Sequence, residues 1–113
     1  MQMNFSSYDN FEEKRNFLRQ YRFMLSKIRR LKSMLEISPE NAEKYKKDIA
    51  ETIKKRDFIE DRIDSVDGSL LTEILSEKYI CGKSLEEIAL GLSYSKRQIE
   101  RLHLKALEKL VTV

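Results

Sequence analysis

The chain has 113 residues, 36% of them charged, with three glycines, one proline and no tryptophan. That length means one domain, or one domain with a helical extension, and so few turn formers exclude a many-turned β-sandwich or barrel. Lys plus Arg exceeds Asp plus Glu by 22 − 19 = 3, a mildly basic balance that admits a nucleic-acid partner without requiring one. The lone Cys81 excludes an internal disulfide and a cysteine-built zinc site. No signal-peptide pattern and no apolar run of about 18 residues occurs, which predicts a cytoplasmic chain with no membrane partner.

Residues 1–7 read as a loose polar end, and a helix is expected over roughly 8–36. Phe17, Tyr21, Met24, Ile28, Leu31 and Leu35 recur at alternating intervals of four and three, a heptad stripe that Leu18 and Leu25 widen. Ile37-Ser38-Pro39-Glu40-Asn41 breaks the pattern, with Ser38 as the expected N-cap of a second helix over 39–65. Its apolar positions are Ala42, Tyr45, Ile49, Ile53, Ile59, Ile63 and Val66, interrupted at Arg56 or Asp57. A short connection between two long helices predicts an antiparallel hairpin. Its seam is read as packing, within one chain or between two copies. Arg15, Arg19, Arg22, Arg29 and Arg30 read as solvated charge before phosphate contacts.

Asp67-Gly68-Ser69 marks the expected boundary between a helical hairpin, 1–66, and a second unit, 67–113. Leu70, Leu71, Ile74, Leu75 and Tyr79 predict a helix over 69–81, with Cys81 as a small apolar filler and Gly82 at the terminating position. Ser84-Leu85-Glu86-Glu87 is a capping box that opens a helix of about eight residues. Ser95-Lys96-Arg97-Gln98 is a second one, opening a last helix through Ile99, Leu102, Ala106, Leu107 and Leu110. Residues 111–113 read as a fraying tail.

Two helices joined by a short turn, the first of them brief, form the helix-turn-helix pattern. Leu85, Ile88, Ala89 and Leu92 give the first helix an inner face, and Ala89 is small where the helices must approach. In the last helix the apolar residues face inward and Lys96, Arg97, Gln98, Glu100, Arg101 and Lys105 remain outside. Residues 95–110 hold five basic and two acidic groups, net +3. Arg and Lys suit guanine O6 and N7, Gln suits adenine, and Glu accepts from cytosine N4. The helix starts at Ser84 and Ser95 can also hold phosphates through backbone N–H groups. His103 falls near the inner or flank surface of this helix, where a phosphate contact fits better than catalysis or ligation. No Cys/His pair, glycine-rich phosphate loop or metal spacing occurs, so neither enzyme chemistry nor a cofactor or metal is expected.

The run from Ser84 to Leu110, with its S-L-E-E-I-A opening, its Ser at the start of the last helix and its closing K-A-L-x-K-L, resembles region 4 of the sigma-70 family. The likeness reaches back through Leu70–Tyr79 and covers about 40 residues of the 113. It implies an all-α fold with a sigma-region-4-like helix-turn-helix behind the long hairpin. By that resemblance Lys96, Arg97, Glu100 and Arg101 read bases as the family reads the −35 promoter element, and Ser84, Ser95, Gln98 and Lys105 contact phosphates or the groove edge. The sequence departs from the family at Ser93, where a glycine is usual, and at Glu100, where a basic residue is common. Size and architecture are similar to phage late-transcription regulators of the RinA and ArpU type. The expected function is therefore sequence-specific binding of double-stranded DNA by a phage or prophage regulator in a bacterial cytoplasm. A homo-oligomer is expected, a dimer first, because one short helix reads only a few base pairs. The alternatives are a phage small terminase subunit, or a module that binds bacterial RNA polymerase or another regulator.

Overall fold

The computed structural model describes residues 3–113, with side chains from Asn10 onward. It is all-helical. The first helix, α1, runs Met3–Ile37. It thus begins within the segment expected as a loose end, of which residues 1 and 2 lie outside the described residues. At about 1.5 Å per residue its 35 residues account for the 52 Å long dimension of the molecule.

Helix α2, Ala42–Asp64, returns antiparallel to α1 after a single 3₁₀ turn, Pro39–Asn41. The expected cap at Ser38 does not form, since its side chain makes no capping hydrogen bond. The 3₁₀ turn satisfies itself instead: Asn41 N–H donates to Ser38 O at 3.1 Å and Ala42 N–H donates to Pro39 O. Pro39 has no N–H, so few donors remain for the Ser38 hydroxyl.

After the turn at Gly68 comes α3, Ser69–Leu75, which continues as a π-helical turn over Ser76–Ile80 rather than as a regular helix to residue 81. Cys81 N–H reaches Ser76 O at 3.0 Å and Lys83 N–H reaches Glu77 O at 3.0 Å. Gly82 takes φ +77°, and a Cβ there would lie 2.9 Å from Cζ of Arg22, whose Nη1 donates to Ile80 O at 2.9 Å. The left-handed backbone is what requires glycine here, and a side chain would also push the Arg22 guanidinium aside. Cys81 is exposed, not a core filler, because the chain has already left the helix. Helices α4, Leu85–Leu92, and α5, Lys96–Lys109, complete the chain.

The principal core joins Leu18 and Tyr21 of α1, Ile59 and Ile63 of α2, Val66, Leu71 and Leu75 of α3, Tyr79, and Ala106, Leu107 and Leu110 at the end of α5. The segments 1–66 and 67–113 thus share one core across the turn between them. A second cluster, Ile74, Ile88, Ala89 and Ile99, holds α3, α4 and α5 together. On α1 the deepest position is Leu18, fully buried, whereas Phe17 is half-buried and meets Phe58 edge to face at 5.9 Å. Lys14 is buried too, and its ammonium reaches across to the last carbonyls of α5, Leu107 O at 2.8 Å and Glu108 O at 3.2 Å. A cation there complements the negative end of the α5 dipole. Burial holds the Lys14 pKa below its usual value, against the opposing pull of Glu108. Among the described residues no helix is long and apolar enough to cross a membrane.

Candidate nucleic-acid interface

Helices α4 and α5 are fixed at both starts by reciprocal caps. Glu87 N–H donates to Ser84 Oγ at 3.1 Å, and Ser84 N–H donates to Glu87 Oε1 at 2.8 Å. Gln98 N–H donates to Ser95 Oγ at 3.1 Å, and Ser95 N–H donates to Gln98 Oε1 at 2.9 Å. Between them α4 stops in a left-handed turn. Ser93 has φ 63°, Ser93 N–H donates to Leu90 O at 3.4 Å and Tyr94 N–H donates to Ala89 O at 2.9 Å. That pair of bonds is a Schellman closure with serine where glycine is preferred. Ile88, Ala89 and Ile99 close the inner angle, with Ile88 and Ile99 fully buried.

The caps decide what the sequence-derived site residues can offer. Ser84 and Ser95 spend an acceptor on their own helices, which leaves each hydroxyl hydrogen free to donate. Gln98 uses one lone pair of its oxygen in the cap, which leaves both of its NH₂ hydrogens free to donate. Lys96 pairs with Glu86 of α4 at 3.1 Å, an exposed contact that an anion can displace. Lys96 holds the Glu86 carboxyl below the usual range. Arg97, Arg101 and Lys105 follow at intervals of four along the exposed face of α5. Among the described residues these three have no hydrogen bond or ion-pair partner. Glu100 is set apart from them. It lies on the flank turned to α1, lining a cleft with Arg15, Arg19 and Lys78.

Three features lay beyond the sequence reading. Tyr94 is 38% exposed and lines a shallow hollow of about 220 Å³ with Gln98, Arg101 and Leu102. An aromatic in a polar turn was the available signal. Lys78 reaches the α1 flank because it sits in the π turn, which no residue pattern announced. His103 is turned into the core rather than held out on the flank. It is buried, stacks on Tyr79 at 5.7 Å between ring centres, and shares a hydrogen bond of 2.7 Å between Nε2 and the Tyr79 hydroxyl. Burial, reinforced by Lys78, Arg15 and Arg19, lowers its pKa to about 4, so the ring is neutral near pH 7. Burial pushes the Tyr79 hydroxyl up to about 12.

No protein-family description, curated protein or solved structure matches the chain.

Proposed function

We propose that the protein is a sequence-specific DNA-binding regulator of transcription that lays α5 in the major groove. One observation carries the reading. A helix anchored by a capping box and a buried inner face presents Arg97, Arg101 and Lys105 in a single outward row with no partner among the described residues. A row of unpaired cations on a rigid, groove-sized helix fits the base edges and phosphates of duplex DNA. The resemblance to sigma-70 region 4 supports the same choice and adds the expectation of a phage or prophage regulator. Lys96, Ser84, Ser95 and the Gln98 amide stand at the rim of that row, where backbone phosphates run. Glu100 is reassigned in this reading, from base contact to flank.

The experiment is selection of binding sites from random duplex DNA at about 150 mM salt, where non-specific attraction is weakened. A recovered motif is the expected result, and two half-sites in it would give the dimer and its spacing. Arg97→Ala and Arg101→Ala should each cost about 1–3 kcal/mol on that motif, and Lys105→Ala should weaken every duplex alike. Retention without a motif would favour DNA packaging, and no retention at all would remove DNA as the partner.

A further inference from the structure

The cations on the α1 flank are not used by the reading row, yet they converge. Arg15 and Arg19 lie one turn apart on α1, and Lys78 comes from the π turn. With Glu100, His103 and Leu104 of α5 they enclose a cleft of about 450 Å³. Arg19 and Lys78 continue into an adjoining hollow of about 150 Å³ with Arg22. Exposed acids moderate this charge: Glu12 meets Arg15 at 3.3 Å and Arg19 at 3.6 Å, Glu86 acts on Lys78 from α4, and Glu100 has no hydrogen-bond partner among the described residues. The cations are close enough to repel one another. After burial, Arg19 and then Arg15 are what lower the Lys78 pKa. Like charges gathered around an open hollow are relieved by an anion.

The place of the cleft says which anion. Glu100 follows Arg97 and Leu104 follows Arg101 by three residues each, so the cleft opens beside the reading row on the same helix. A helix with its side chains is about 10–12 Å across and the major groove about 12 Å wide, so a docked helix has a backbone strand along its flank. We propose that this cleft seats a phosphodiester of that strand, clamped by Arg15, Arg19 and Lys78, with the phosphate displacing Glu12 from the two arginines and the unpaired charge of Glu100 opposing it. The inference rests on the DNA-binding reading and adds α1 to it as a second point of attachment.

The test titrates the full chain with its selected duplex and with a scrambled one over a series of salt concentrations. The combined Arg15→Gln, Arg19→Gln, Lys78→Gln variant should bind both duplexes about tenfold more weakly near 150 mM salt. Its salt dependence should flatten by about one to two in slope, with the preference between duplexes unchanged. Arg15→Lys with Arg19→Lys keeps the charge and should retain most of the affinity, which separates lost charge from lost fold. Glu100→Gln should tighten both duplexes equally, by about threefold, whereas a base-reading Glu100 would shift the preference instead. Unchanged affinity and slope in the triple variant, beside normal binding by the unmodified chain, would overturn the cleft and leave the α5 reading standing. Failure of the unmodified chain to hold any duplex would overturn both.

Discussion

The two ends of the hairpin carry the same spacing and end up at different depths. Near the C-terminal unit, Leu18, Ile59 and Ile63 are at most 1% exposed, because α3, the π turn and the end of α5 cover the helix pair. Towards the tip, α1 and α2 have only each other. Ile28 and Leu31 are still buried, but Met34, Leu35, Tyr45, Ile49 and Ile53 are half-buried and Phe23 and Ile37 are exposed. A heptad stripe therefore states which residues face a neighbour, not how many layers cover them. Depth comes from the third layer, and it concentrates stability at one end of the molecule.

The largest effects should fall at the covered end. Leu107→Ala empties a site with no exposure and should cost about 2–5 kcal/mol in denaturant unfolding. Ile49→Ala, half-buried at the tip, should cost about 1 kcal/mol. An Ile49→Ala cost equal to that of Leu107→Ala, and growing with protein concentration, would break the comparison by placing the tip against a second copy.

Acid should act at the same end. The folded His103 pKa of about 4 lies below the usual histidine value of 6.5, so the unfolded chain binds more protons between those values. Stability from this residue is complete above about pH 6.5 and declines as the pH falls, with about 3 kcal/mol lost by pH 4. Unfolding free energies at pH 7 and pH 4.5 check this, and His103→Gln should flatten that part of the profile. An unchanged pH profile in His103→Gln would assign the acid sensitivity elsewhere. Next in size is Lys14→Met, which removes the cation from the end of α5. It should cost about 1–3 kcal/mol, read as a lower denaturant midpoint with faster amide exchange in the last turn of α5.

What the sequence made legible follows from range. The capping boxes at Ser84 and Ser95, the glycine at 82 and the inner face of α4 and α5 are decided within a few residues, and all were readable. Ser38 carried the same local signal and failed, because a competing 3₁₀ turn used backbone donors alone. The burial of His103 and the reach of Lys14 to α5 depend on partners 24 and 94 positions away, which periodicity does not encode, and the π turn carries no residue pattern of its own. So the row of Arg97, Arg101 and Lys105 was legible in the candidate site, while the cleft behind it was not.

The smallest expected effect concerns the turn that aims α5. Ser93 is the one non-glycine residue with positive φ among the described residues. The left-handed conformation costs an L-residue about 1–2 kcal/mol, and glycine returns part of that gain through its greater freedom when unfolded. Ser93→Gly should therefore stabilise by about 0.5 kcal/mol, seen as a small rise in thermal midpoint and slower amide exchange in α4 but not at the hairpin tip. The Schellman bonds at Ser93 and Tyr94 are made by backbone N–H groups, so glycine preserves them and the aim of α5. A loss of stability in Ser93→Gly would mean that the serine hydroxyl, not the backbone, holds the turn.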